Sequence, residues 1–227
     1  MIGQCAKCPY QDTDKLCRNP VDGKSPAFCC TKLYADTLSQ FDNQYESYMR
    51  FSAEASRQEI SCYEPSQYNP SIKMPVKPRM VEAIEFCHRM GYQRVGLAFC
   101  GGLHREANAL SKVLEAFGFE VVSVMCKVGG KDKTCLGLAI DEKINPTAVH
   151  ESMCNPIGQA VILNNEKTEF NLMLGLCIGH DSLFLKHSDA LCTVIAVKDR
   201  VTGHNPLAVL YTLNSYYQYL QKPKRHD

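Results

Sequence analysis

The chain has 227 residues, 45% of them hydrophobic, with 25 Lys and Arg against 24 Asp and Glu, no Trp and 13 Cys. That length can bury a substantial core, and a formal charge of +1 excludes a strongly basic nucleic-acid binder and gives no purchase on an anionic membrane. Thirteen thiols cannot all pair, and a chain this long does not need disulfides in place of a core. The cysteines therefore point to metal or redox chemistry in a reducing compartment.

Residues 1–31 form a cysteine-dense segment. Its start, Met1-Ile2-Gly3-Gln4, lacks the basic and apolar regions of a secretory signal. No stretch of the chain reaches the roughly 18 uninterrupted apolar residues of a membrane span, so a cytoplasmic protein is expected. The segment reads Cys5-x2-Cys8, Cys17 and Cys29-Cys30, with Pro9, Pro20, Gly23 and Pro26 between them. It has no apolar periodicity and cannot bury a core of its own; thiolates around a metal would hold it together. Cys5, Cys8 and Cys17, with Cys29 or Cys30, are the candidate ligands. Their spacing matches neither a zinc ribbon with two Cys-x2-Cys pairs nor the Cys-x2-Cys-x2-Cys run of bacterial ferredoxins, so the metal stays open.

Residues 32–91 are expected to be a helical region packing on the core. Leu33, Tyr34, Leu38, Phe41, Tyr45, Tyr48 and Met49 recur at the three- and four-residue spacing of one helix face. Pro70, Pro75 and Pro78 punctuate a loop. A second helix is expected over Arg79 to Arg89, with Met80, Ile84 and Cys87 on one side and Gly91 as its stop.

Residues 92–227 alternate strand and helix. Apolar runs at Val95–Phe99, Val121–Met125, Leu172–Leu176 and Cys192–Val197 suit buried parallel strands. A helix with Leu103, Ala107, Leu110, Leu114 and Phe117 separates the first two. Asn155-Pro156 is expected to cap another, Asp181 a third through Leu185, and Asn205-Pro206 a last one reaching Leu213. This order predicts an α/β fold, a doubly wound, mostly parallel sheet in a Rossmann-like three-layer arrangement, preceded by the small cysteine-rich segment and helices. Residues 97–104 and 174–181 echo each other as apolar strand, Cys, Gly and helix start, either a duplicated unit or two answers to one turn problem.

The chemistry concentrates where strands end. Ligands of open parallel sheets bind outside the carboxyl ends of the strands. Cys100, Cys126 and Cys177 each follow a predicted strand, and Cys154 precedes a predicted helix, which places four thiols at one sheet edge. Thiolates select zinc, copper(I) or iron–sulfur clusters. Ligands spread over several loops make a deep site rather than a zinc knuckle, which favours a 4Fe-4S cluster, one or two in the chain, with zinc as the alternative at the N-terminal cysteines. The opposing reading makes these four isolated small residues in tight turns. Gly101, Gly102 and Gly179 would present backbone N–H groups and helix N-termini to an anionic cluster. His180, Lys198 and His204 are the candidate catalytic groups; capping of helix starts is the competing role for both histidines. Asp181 is expected to cap its helix, and Lys186 and His187 to be solvated. Cys62, Cys87 and Cys192 are expected simply to pack, with Cys135 a spare near the sheet edge.

The motifs Cys5-Ala-x-Cys8, Phe99-Cys-Gly-Gly-Leu-x-x-Glu-Ala107, Cys126-Lys127, Cys154-Asn155-Pro156, Cys177-x-Gly-His-Asp181, Val197-Lys-Asp-Arg200 and Gly203-His-Asn-Pro206 span nearly the whole chain. Together they resemble an uncharacterised family of cysteine-rich proteins of archaea and anaerobic bacteria. The resemblance implies metal binding and an anaerobic cytosol, and brings no activity with it. The residues themselves favour an iron–sulfur protein using redox, sulfur-transfer or desulfuration chemistry on a small molecule. A non-catalytic zinc- or cluster-bearing module that senses metal or redox state, or docks a partner, is the other reading. A small-molecule substrate or a redox partner protein is expected, with no nucleic acid and no membrane, and a homo-oligomer is allowed. Gly101-Gly102 is not a Gly-x-Gly-x-x-Gly fingerprint, so a plain dinucleotide binder fits less well.

Overall fold

The computed structural model describes residues 2–42 and 48–221. The chain divides into two compact units, residues 1–57 and 58–227.

In the first unit, short 3-10 turns at Cys5–Lys7 and Asp12–Asp14 precede the helices α1 (Cys30–Leu33), α2 (Ala35–Asp42) and α3 (Met49–Ser61), the last of which runs into the second unit. The apolar stripe expected over residues 33–49 finds no interior. Leu33, Tyr34, Leu38, Tyr48 and Met49 are all exposed, and Tyr45 lies outside the described residues. The structure divides this stretch among α1, α2 and α3, so these side chains do not form the face of one helix.

The second unit opens on a small antiparallel pair, β1 (Tyr63–Pro65) and β2 (Lys73–Pro75). The prolines there suggested only a loop. Pro65 and Pro75 each end a strand of an exposed two-stranded ribbon, where their missing N–H costs no ladder bond, while Pro70 and Pro78 lie outside both strands. Helix α4 (Arg79–Met90) follows and stops at Gly91, as its sequence predicts, burying Ala83, Ile84, Phe86 and Cys87.

The remainder is the expected doubly wound α/β sheet. Its elements are β3 (Arg94–Phe99), α5 (His104–Ala116), β4 (Glu120–Met125), α6 (Pro156–Asn165), β5 (Phe170–Leu174), α7 (His180–His187), β6 (Cys192–Ala196) and the short α8 (Leu207–Tyr211). The strand order is β4-β3-β5-β6 and every neighbour is parallel. The central strands β3 and β5 are buried almost throughout, which is why they read as unbroken apolar runs, while the flanking β4 and β6 are half exposed. Helix α5 packs on β3 and β4, and α6 packs on α7. Connections from β3 and from β5 run in opposite directions across the sheet, so the switch point lies between these two strands, outside their carboxyl ends.

Three boundary expectations are corrected. Strand β5 starts two residues early, at Phe170, because Asn171 is wholly buried rather than a turn residue; it bonds Thr168 Oγ1 and Ser188 Oγ, each at 2.8 Å. Helix α7 starts at His180 after Gly179, so Asp181 lies in its first turn and is not its cap. Asn205 makes no cap bond, and the last helix is only Leu207–Tyr211. Asn155 does cap α6 as expected, accepting the Gly158 N–H at 2.9 Å with Pro156 next in sequence.

Candidate metal centre at the sheet edge

Each thiol at this edge arrives by a different route. Cys100 follows β3 directly, its N–H bonded to the Leu174 carbonyl of β5 at 3.1 Å. Cys126 follows β4 directly, its N–H on Phe99 O at 2.9 Å. Cys154 closes the long β4–α6 connection. That connection doubles back on itself: Lys127 Nζ donates to Ser152 O at 2.5 Å, Met153 N–H to Lys131 O at 2.8 Å, and Asn155 N–H to Cys126 O at 2.7 Å. The last bond sets Cys154 beside Cys126, and their sulfurs are 3.9 Å apart. Cys177 stands further along, after Gly175 and Leu176, with its sulfur 3.3 Å from an Arg200 guanidinium nitrogen.

The electrostatics separate these thiols. Burial alone would raise Cys100, but the Gly102 N–H and the Lys198 ammonium outweigh it and hold the thiol below its usual range. Burial, with Cys154 and Cys100 adding to it, pushes Cys126 up to about 11, against the pull of the Gly101 N–H, which lies 3.3 Å from its sulfur. The two turn glycines thus spend their N–H groups on thiol sulfurs. Gly179 takes a left-handed φ of +81° where α7 begins.

The candidate acid–base groups occupy the loops around these thiols. His180 begins α7, and its Nδ1 is buried with no hydrogen-bond partner. Burial first, then the Lys127 charge, lowers its pKa, which favours the neutral ring. His204 sits in the left-handed region at φ +69° and accepts the Asp199 N–H on Nδ1 at 3.1 Å. Asp199 accepts the Val201 and Thr202 N–H groups at 2.9 and 3.0 Å, closing this loop. Lys198 lies against Gly102 and Cys100.

Two residues were not singled out in the sequence. Arg200 stands in the sequence only as the end of the motif Val197-Lys-Asp-Arg200, and its contact with Cys177 depends on the turn that brings them together. Gln159 is fully buried and donates to Phe99 O and Val124 O, at 3.2 and 2.7 Å, tying the ends of β3 and β4 beneath the thiols. The available signal was a lone amide in the apolar helix α6. The packing cysteines behave as expected: Cys62 and Cys87 are buried, and Cys192 bonds Ser188 Oγ. Cys135 is exposed in a 3-10 turn over Lys133–Leu136.

Among the described residues, no three His, Cys, Asp or Glu are arranged as a preformed metal-ion site. The donor chemistry nevertheless fits a thiolate-bound group. The Cys126–Cys154 spacing is close to the roughly 3.8 Å that tetrahedral metal–sulfur bonds of about 2.3 Å require. A cation stands beside Cys100 and another beside Cys177, where thiolate charge would collect.

In the first unit, Cys5, Cys8, Cys17 and Cys29 line one cavity of about 130 Å³, together with Lys15 and Lys24. Cys30 is not part of its lining; its thiol bonds that of Cys5.

Fold and site together define a parallel α/β protein with thiols gathered where its strands end. The chain belongs to the family of proteins of unknown function designated DUF1847, whose model matches residues 29–195. It is 48% identical over 159 residues to an uncharacterized protein of Methanocaldococcus jannaschii, covering 70% of this chain and 76% of that one. The family resemblance read from the motifs therefore holds, an archaeal member included. Two crystal structures of Dph2 from Pyrococcus horikoshii, one with a 4Fe-4S cluster, are similar to 67% of this chain at 17% identity and a TM-score of 0.35. The chain spans about a third of their length, 34% and 35%. No helix among the described residues is long and apolar enough to cross a membrane.

Proposed function

We propose that this chain is an iron–sulfur protein, with a cluster held by Cys100, Cys126, Cys154 and Cys177 at the carboxyl edge of its parallel sheet, acting in redox or sulfur-transfer chemistry on a small molecule. The observation that carries the reading is the convergence of loops from β3, β4 and α6. It sets the Cys126 and Cys154 sulfurs 3.9 Å apart and Cys100 beside them, with a Gly101 N–H aimed at one sulfur. Such N–H bonds and nearby cations favour an anionic cluster. When bound, the cluster would supply an electron or a Lewis-acidic iron. Lys198 and Arg200 offset thiolate charge on either side of the switch point. His180, whose neutral ring is favoured and has a free nitrogen, can take a proton from a bound substrate, while Lys198 and His204 orient its polar groups.

Purification of the full chain without oxygen, followed by iron and sulfide analysis, tests this directly. We expect about equal iron and sulfide and a broad shoulder at the blue end of the visible spectrum. Replacing Cys100 and Cys177 by Ser should remove that iron while circular dichroism stays unchanged. A colourless protein carrying only zinc, or full iron content in the double variant, overturns the reading.

A further inference from the structure

Among its described residues, the first unit has no interior. None of residues 2–40 and 48–57 is buried, and apolar side chains such as Ile2 and Val21 are left 76% and 87% exposed. Yet residues 4–29 hold a defined course. Gln4 N–H bonds Phe28 O at 3.2 Å, Leu16 N–H bonds Lys24 O at 2.9 Å, and Lys24 N–H bonds Asp14 O at 2.7 Å. These bonds, and the short-range turn bonds between them, join residues that are exposed or only half-buried and contribute little net stability, so a segment of this length needs another source of cohesion.

That cohesion is available in the cavity the segment encloses. It draws Cys5 and Cys8 from the first 3-10 turn, Cys17 from the Asp14–Lys24 loop and Cys29 from the entry to α1, so its four thiols come from three separate parts of the segment. We infer that this cavity is a structural zinc site with Cys5, Cys8, Cys17 and Cys29 as its four ligands, and that the metal replaces the missing core of the first unit. The adjacent Cys30 is not a ligand. Its sulfur packs on the backbone of Gly3, where a Cβ would come within 2.5 Å of it, and it meets the site from outside, through a hydrogen bond with the Cys5 thiol.

Zinc is the metal this environment suits. Four thiolates on short, sequence-local loops match a closed tetrahedral site, which leaves no position for substrate. Lys15 and Lys24 reach the same cavity, and their charges offset part of the excess negative charge of a tetrathiolate zinc. Asp12 at 2.6 Å and Asp14 at 3.4 Å hold these lysines in place. Binding draws the four sulfurs inward from their positions around the cavity, so zinc binding and ordering of the segment are a single event. The site is independent of the sheet edge: its ligands all lie in residues 5–29, while the cluster ligands lie in 100–177.

The test uses the full chain, with zinc and iron measured separately by mass spectrometry. We expect about one zinc per chain in the parent and in Cys30→Ser, and none in Cys17→Ser. Cys17→His, which restores a zinc donor, should recover most of it. In Cys17→Ser, limited proteolysis should cut within residues 1–57 at least ten times faster than in the parent, while the fragment beginning near residue 58 persists. Cobalt in place of zinc should give the visible bands of a tetrahedral thiolate site, lost in Cys17→Ser and kept in Cys30→Ser. Equal zinc in Cys17→Ser and the parent overturns the site, and loss of zinc in Cys30→Ser overturns the ligand assignment. Iron that survives in Cys17→Ser belongs to the sheet edge, and iron lost with Cys17 would overturn the assignment of zinc to the N-terminal thiols, so failure of either reading is seen separately.

Discussion

Asp132 is the residue on which the long β4–α6 connection turns. Its carboxylate accepts the Thr134 N–H at 3.0 Å, the Glu151 N–H at 2.7 Å and the Thr134 hydroxyl at 2.8 Å, and it pairs with Lys143 at 2.9 Å. The Thr134 and Glu151 N–H bonds, then Lys143, hold this carboxyl far below the usual aspartate range. A carboxyl with a depressed pKa in the folded chain stabilises the fold above its unfolded pKa of about 3.9, and that contribution is lost as the pH falls through the folded value. The connection carrying Cys154 should therefore open in acid before the sheet does. Amide exchange over residues 131–153 should rise between about pH 4 and 2 ahead of exchange in β3 and β5, and Asp132→Asn should show the same opening at neutral pH; parallel exchange in both regions would refute it. Nothing in the sequence marked Asp132, because its partners lie two to nineteen positions away and meet only once the connection folds back. The thiols were legible one by one, since strand-end positions follow from apolar runs. Their unequal character was not, since it depends on which N–H or ammonium each sulfur meets.

At the scale of elements, the parallel sheet followed from its sequence and the close fit between strands did not. Gly96 and Asn171 face each other in the β3–β5 register. A Cβ on residue 96 would fall 2.0 Å from Asn171 Oδ1 and 2.9 Å from Leu163 Cδ1. Neither neighbour can withdraw, since Asn171 is held by Thr168 and Ser188 and Leu163 is fully buried. Gly96→Ala should cost about 3 kcal/mol of stability, and in the Asn171→Ala background the same change should cost much less. Thermal unfolding of the four chains forming that cycle reads both numbers; equal costs in the two backgrounds would show that Asn171 is not the obstacle. Gly175 is constrained differently: it turns the chain at φ +66° beneath Cys177, and a Cβ there would meet Leu103 at 2.2 Å. Its left-handed turn leaves Cys177 three residues beyond the end of β5, whereas Cys100 follows β3 directly. The echo between residues 97–104 and 174–181 thus describes two adjacent parallel strands whose turns differ. Cys100 leaves its strand at once, and Cys177 leaves after a reversal that delivers it to Arg200.

In the molecule as a whole, core and candidate site share residues. Cys100 and Cys126 belong to the same buried cluster as Ala98, Leu163, Met173 and Phe184. Phe184, on the inner face of α7, is fully buried. Phe184→Ala should cost about 3–5 kcal/mol, and because the cavity opens in the cluster that seats two of the thiols, iron retained after anaerobic desalting should fall along with the melting temperature. Unchanged iron in a clearly destabilised variant would separate site from core. The first unit has the opposite architecture: exposed apolar side chains, and thiols around a small cavity. One chain thus combines a sheet that stabilises itself by burial with a segment whose described residues bury no core.

The amino-acid sequence by itself determined the parallel α/β class, the stop of α4 at Gly91, the cap of α6 at Asn155, and the placing of thiols at strand ends. These are properties of local periodicity, backbone preference and position, and they need no distant partner. Only the tertiary structure decided which thiols meet. Cys126 and Cys154 lie 28 positions apart and come within 3.9 Å because a folded-back connection is bonded at its two ends. Cys29 and Cys30 are neighbours in the chain, yet one faces the cavity and the other the backbone of Gly3. Contacts of this kind depend on loop closure and on hydrogen bonds between remote backbone groups, which no local pattern encodes.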